Sequence, residues 1–212
     1  MTKRKALSLR LAAVASVAAL AAIGAGTASA GGGKYGPLST QGCPTYSTVQ
    51  PFMPWADLGN YFLGPAADFE GSLTGWTNHG AKIVAGNETY FVNSATDSHS
   101  LSLPKNASVV SPSICVTLTT PDIRLFVKNT GAAALLTINM TYTSNAGKPS
   151  TVTVGKVSVP AKADWTLTSP VFFLANIQSI LSSNNQTWVT FTFVSNGALQ
   201  IDDFYVDPIK HA

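Results

Sequence analysis

The side chains that could do chemistry here are mostly carboxylates. The chain has ten Asp and Glu residues, and five of them fall in two short stretches. Asp68 and Glu70 lie in ADFEGSLTGW, and Asp202, Asp203 and Asp207 lie in or just after LQIDDFYV. In the second stretch Leu199, Ile201, Phe204, Tyr205 and Val206 call for burial. A carboxylate among them is costly unless something pairs with it. A regular strand would put Asp202 on one face and Asp203 on the other, because side chains alternate. The remaining candidates do not assemble a catalytic set. His79, His99 and His211 have no HxxxH or HxH partner, and no GxSxG elbow or phosphate-cradling glycine loop occurs. Glu88, Asp97, Asp122 and Asp164 are scattered singly, whereas glycoside hydrolysis needs two carboxylates flanking a cleft. The reading is of a protein that is not an enzyme. Tyr90 in GNETYFVN, Trp165 in KADWTLTS and Trp188 in QTWVTF are the aromatics that could stack on a ligand ring. Packing in the core or at its rim is the alternative for each.

Targeting and charge bound the class. Lys3, Arg4, Lys5 and Arg10 precede an apolar run that ends in Ala-Ser-Ala at 28–30, the layout of a secretory signal peptide cleaved after Ala30. The run is rich in Ala and Gly and is short for a membrane span. Four of the 13 basic residues and none of the ten acidic ones lie in it, so the mature chain is close to neutral. With no basic patch left, nucleic acid is not an expected partner. No second long apolar segment would anchor the mature chain in a membrane. A secreted, extracellular product follows, and its two cysteines, Cys43 and Cys115, are then read as one disulfide.

Elements must position these residues. Residues 31–60 hold many Gly and Pro and show no periodicity, so an extended arm is expected. Its neighbours and members Phe52, Trp55, Tyr61 and Phe62 are too many aromatics for a free tail. The arm is expected to pack on a domain spanning 61–212, with Cys43 fastening it to the strand of Cys115. Period-2 alternation then predicts strands at 81–86, 99–104, 113–118, 122–129, 135–143, 150–160, 186–197 and 199–208. Only 172–183 has helical spacing, through Phe173, Ile177, Ile180 and Leu181, and one short helix is expected there. Many short strands joined by turn sequences such as NTGA, SNAGK and SNGA imply an all-β fold of two packed antiparallel sheets.

The two acidic stretches also carry a resemblance. DFEGSLTGW at 68–76, SHSLSLP at 98–104 and LQIDDFYVDP at 199–208 resemble segments of carbohydrate-binding-module-type jelly rolls, the galactose-binding-like β-sandwiches. The resemblance covers roughly 68–208 and implies an antiparallel jelly roll whose first and last strands lie close together. It also implies a structural calcium at that edge, with Glu70 and Asp203 as ligands and Asp68 and Asp202 as weaker ones. Ca²⁺ takes six to eight oxygens, and carboxylates with backbone carbonyls supply them. The alternative is no metal, with Asp202 facing solvent and Asp203 accepting hydrogen bonds from backbone groups, Arg124 or a lysine. No cofactor is required in either case. Trp76 matches the group's core tryptophan and is read as packing. Two functions remain open: a secreted carbohydrate-binding module whose partner is an extracellular glycan, and an extracellular structural or protein-interaction domain without a sugar site.

Overall fold

The computed structural model describes residues 42–143, 147–173 and 186–208. The expected signal peptide lies outside the described residues, as does most of the expected helix. The start of that helix is a correction: Val171–Phe172 is a strand, and Phe173 is buried outside any helix.

The strands in chain order are β1 (Phe62–Leu63), β2 (Thr77–His79), β3 (Lys82–Ala85), β4 (His99–Leu103), β5 (Ser108–Val110), β6 (Ile114–Thr117) and β7 (Asp122–Asn129). They continue with β8 (Ala134–Thr143), β9 (Pro149–Val159), β10 (Thr166–Leu167), β11 (Val171–Phe172), β12 (Gln186–Ser195) and β13 (Leu199–Val206). One sheet runs β10-β7-β13-β4-β3, with β1 on β13 and β11 on β7. The other runs β2-β5-β12-β8-β9, with β6 also on β12. Every pairing is antiparallel. The fold is therefore an all-β sandwich of the jelly-roll type.

The alternation in the sequence decides which side chains fill the space between the sheets. β12 alternates without a break, sending Val189, Phe191 and Phe193 inward and Trp188, Thr190 and Thr192 outward. Opposite it, β8 contributes Leu136, Ile138 and Met140, all inaccessible to solvent. Ile123, Leu125 and Val127 of β7 and Leu199 and Ile201 of β13 close the core from the other sheet. Trp76 packs edge-on against Phe69 and Phe204 and donates its indole N–H to the Pro65 carbonyl at 2.8 Å. It is a core residue, with its one polar atom satisfied.

β7 is buried on both faces, because residues 42–61 cover its outer side. Phe52 is fully buried there among Tyr61, Phe126, Trp165, Leu167 and Tyr205. A 3₁₀ turn at Met53–Trp55 and a two-way hydrogen-bonded bridge between Val49 and Tyr61 shape this arm. Cys43 and Cys115 are bonded, with Cα atoms 5.3 Å apart. Beside them Tyr46 stacks on Phe62 at 3.8 Å and accepts the Cys115 N–H. Further along, the Arg124 guanidinium lies over Phe52, donates twice to the Thr168 carbonyl and pairs with Asp57 at 2.6 Å. Tyr61 donates to the same Asp57 oxygen.

Candidate functional site

The two acids of β13 occupy one irregularity in the strand. Asp202 stands opposite Phe126 and Tyr205 opposite Arg124, so β13 carries one extra residue between these pairs. This is a β-bulge. It frees the backbone of Phe204 to accept from Gly64 N at 2.8 Å and to donate to the Ala67 carbonyl at 3.3 Å. Asp203 takes a left-handed conformation, φ 47°. As a result the expected alternation fails: Asp202 and Asp203 are both at 0% exposure, and neither faces solvent.

Their partners differ sharply. Asp202 accepts from Glu88 N at 2.9 Å through one oxygen and from Asp203 N at 3.0 Å through the other. Both oxygens of Asp203 are buried with no hydrogen-bond partner. Burial pushes the Asp203 carboxyl up to about 8, reinforced by the fields of Glu88, Asp97, Asp68 and Glu70. Burial and the charge of Asp203 push Asp202 up to about 9, against the opposing effect of its two backbone donors. Arg124, one of the partners considered for Asp203, is engaged with Thr168 and Asp57 instead.

The neighbouring acids hold a loop. Glu88, also fully buried, accepts from Val92 N at 2.7 Å and from Tyr90 N. Burial raises its carboxyl, and these backbone donors oppose the rise. Glu70 accepts from Ser98 N and His99 N, each at 2.6 Å, and its second oxygen lies 3.1 Å from both Ser98 Oγ and His99 Nδ1. Burial opposes but does not outweigh these donors, so Glu70 is held below the usual carboxylate range. Asp68 makes a long contact to Glu70 N at 3.4 Å. Residues 86–98 are thereby a closed loop, its neck made by Gly86 N donating to the Ser98 carbonyl at 2.7 Å. Glu88 and Asp97 both belong to it. Nothing in the spacing of these acids along the sequence connects them with β13.

A hard divalent cation suits part of this arrangement. The donors are all oxygen, and Asp203 is an orphaned buried carboxylate ringed by further acids, which fits Ca²⁺ rather than a softer metal. A cage of carboxylates is not formed: among the described residues no three acidic, His or Cys side chains converge at metal-binding distance. Glu70, Glu88 and Asp202 spend their oxygens on backbone donors. Of these acids only Asp203 keeps both oxygens without a partner, while Glu70 is engaged by Ser98 and His99.

The three candidate aromatics do not share a surface. Trp165 is buried under the arm on the outer side of the seven-stranded sheet, with the Lys128 ammonium 5.8 Å from its ring. Trp188 is half-buried on the outer face of the six-stranded sheet, opposite Cys115. Tyr90 is 52% exposed and sits on the closed loop. Its ring meets Trp55 of the arm edge-on at 4.7 Å and stacks on Phe126 at 5.6 Å. Phe91, beside it, is 47% exposed, and Met53 next to Trp55 is also exposed. Trp55 was not among the expected ligand residues, because the arm has no period from which a face could be read. A separate groove of about 380 Å³ lies between β9 and β11, with Lys156 and Phe172 on its walls.

No protein-family model matches the sequence, and no curated protein matches it. Solved structures do match in shape. The CBM22-1–GH10 portion of a Clostridium thermocellum xylanase, Xyn10B, solved with xylohexaose, aligns with a TM-score of 0.50 at 13% identity, covering 68% of this chain and 28% of that one. The CBM22-1 xylan-binding domain of Paenibacillus barcinonensis Xyn10C aligns at 0.47 and 18% identity, over 69% of this chain and 94% of that domain. A family 6 carbohydrate-binding module aligns at 0.41 and 10% identity, over 70% of this chain and 92% of the module. At these identities the likeness is one of fold: this chain has the β-sandwich of carbohydrate-binding modules.

Proposed function

We propose that this chain is a secreted, non-catalytic glycan-binding protein that engages its ligand through the loop surface of Tyr90, with Trp55 and Phe91 beside it. The observation that carries the reading is the exposed Tyr90 ring, seated on Trp55 and Phe126 and carried by a loop held from below by buried carboxylates. An aromatic face that is both exposed and fixed suits stacking on a pyranose ring, because little side-chain freedom is lost on binding. The fold shared with xylan-binding modules supports the ligand class, and a xylo-oligosaccharide is the first ligand to test. The disulfide and the leader-like first thirty residues support export. Against catalysis, Glu88, Asp202 and Asp203 are fully buried and face no solvent cleft. Calcium is proposed as a structural ion at Asp203, where it would neutralise the buried charge.

Isothermal titration of the mature protein with xylohexaose tests the reading. Tyr90→Ala should weaken binding at least tenfold, about 1.4 kcal/mol, with the melting temperature little changed. Phe172→Ala should bind as the wild type does. Loss of binding in Phe172→Ala alone would move the site to the β9–β11 groove. Absence of binding to xylan, glucan and galactan oligosaccharides alike would favour the structural or protein-interaction reading.

A further inference from the structure

The outer face of the seven-stranded sheet carries a polar row beside the ring on which Tyr90 rests. We propose that this row, Lys82–Ser102–Gln200–Lys128, receives the carboxylate of an acidic glycan, so that the ligand stacked on Tyr90 is a polysaccharide bearing uronic acid residues. The proposal rests on the glycan reading of Tyr90 given above and names the ligand class of that site.

Strand register builds the row. Lys82 of β3 stands opposite Ser102 of β4, Ser102 opposite Gln200 of β13, and Gln200 opposite Lys128 of β7. Directly opposed residues share one face of a sheet. Their chain neighbours Leu101, Leu103, Leu199, Ile201 and Val127 fill the core, so the four polar side chains point outward, Lys82 exposed and the other three half-buried. At ordinary strand spacing the two lysine Cα atoms are roughly 14 Å apart. A row of that length lies under several sugar rings. Among the described residues nothing bonds the Ser102 hydroxyl, the Gln200 amide or the Lys82 ammonium, which leaves two neutral donors and a cation for a ligand.

The row adjoins the aromatic site. Phe126, on which the Tyr90 ring stacks, is the outward residue of β7 that comes before Lys128, roughly 7 Å away along the strand. Lys128 is held from the other side, its ammonium 5.8 Å from the Trp165 ring and 3.6 Å from Asp164. The Asp164 side chain is 80% exposed, and a long surface pair of this kind is weak, so a ligand carboxylate can replace it. Charge is also segregated along β13. At its Leu199 end lie two further lysines in turns: Lys105, whose neighbour Asn106 donates to the Ser195 carbonyl, and Lys162, which donates to the Gly131 carbonyl. Asp202, Asp203 and Asp207 follow towards the other end, where Glu70 grips Ser98 and His99 at the start of β4. An anion approaching the row from the Leu199 end therefore meets positive charge first. The acidic group belongs on the lysine row, and the neutral rings on Tyr90.

Isothermal titration of the mature protein compares xylohexaose with a xylohexaose that carries one glucuronic acid branch. At low salt the branch should raise the affinity about twofold to fivefold, the worth of an exposed ion pair. The gain should vanish at about 0.5 M salt, where screening confines charge interactions to a few ångströms. The double variant Lys82→Gln, Lys128→Gln should bind the two probes alike, and Lys128→Arg should keep the gain. Lys148→Gln, exposed just before β9 and away from the row, should behave as the wild type with both probes. If loss of the Trp165 contact destabilises Lys128→Gln, Lys82→Gln alone must still reduce the gain. A branch that adds nothing while xylohexaose binds, or a gain that survives the double variant, would overturn the acidic ligand and leave the glycan reading intact. Branched-probe binding untouched by Tyr90→Ala would overturn the Tyr90 site. Absence of binding by both probes would overturn the glycan reading, and the acidic ligand with it.

Discussion

Replacing Asp203 by Asn isolates what the buried carboxylate costs and what it holds. The substitution keeps the volume and removes the charge. Asn also tolerates the left-handed backbone that Asp203 adopts at φ 47°, so the bulge should survive. In EDTA the wild type must carry either an unpaired buried charge or a bound proton at this position, because neither carboxylate oxygen has a donor. The uncompensated group costs on the order of 1–3 kcal/mol, so Asp203→Asn should be at least as stable as the wild type without metal. In calcium the order should reverse. An ion that binds only the native state adds about 2.7 kcal/mol at a hundredfold excess over Kd. For a domain of this size each kcal/mol moves Tm by roughly 2–4 °C. The wild type should therefore gain about 5–10 °C in calcium, lose it in EDTA, and overtake a variant that responds to neither. Differential scanning calorimetry of both proteins, with calcium and with EDTA, measures all four values. A wild-type Tm indifferent to calcium would refute the ion. A variant markedly less stable than the wild type in EDTA would refute the account of Asp203 as an unpaired group.

Two further outcomes concern the arm. Asp122, buried at the edge of the arm, has its carboxyl pushed up to about 7 by burial and by the charges of Asp207 and Asp57, with Arg124 opposing. An acid raised on folding stabilises below its unfolded pKa and loses that contribution as pH rises through the folded value. Stability from this group should thus decline between about pH 4 and 7, by at most roughly 4 kcal/mol. Urea unfolding across that range should show a shallower decline in Asp122→Asn. The Cys43–Cys115 bond closes a separation of 72 residues, for which chain entropy gives about 4 kcal/mol. The intact mature protein should be two hydrogens lighter before reduction than after, and reduction should lower the urea midpoint; two thiols open to alkylation without reductant would contradict the bond.

Strands long enough to display a period could be read from the sequence. β7 falls on the expected 122–129, and β8, β9 and β12 differ from expectation by at most two residues at an end. Strands of two or three residues, such as β1, β10 and β11, are too short to alternate visibly, and their partners rather than their own side chains define them. The separation of Trp165 from Trp188 had a different cause. Alternation says which residues share a strand face, but not which sheet the strand joins. Trp188 could be assigned a face with Thr190 and Thr192, yet the sheet order that sets it opposite Cys115 depends on β6 pairing with β12. Trp55 had no period around it at all. Its place follows from Phe52 next door, which anchors the arm between Tyr61 and Tyr205.

The acids of β13 show how a site can depend on one unpaired residue. The apolar pattern of 199–206 was visible and correct, since Leu199, Ile201, Phe204 and Val206 all reach the main core. What it could not show was the extra residue between Asp202 and Tyr205, because that bulge is stabilised from outside the strand by Gly64 and Ala67. Gly64 is required for it: a Cβ there would come within 2.7 Å of the Phe204 ring. The bulge turns both aspartates inward and presents one to Glu88 N and the other to no donor at all. A sheet built for stability alone would have kept its ladder regular and placed a neutral residue at 203. The cost of the buried carboxylate is instead accepted at a bulge whose other aspartate, Asp202, holds the loop that carries Tyr90 through Glu88 N. The loop at 86–98 is thus tied to β13 through Asp202 and Glu88, whereas the Asp203 carboxylate bonds nothing in it.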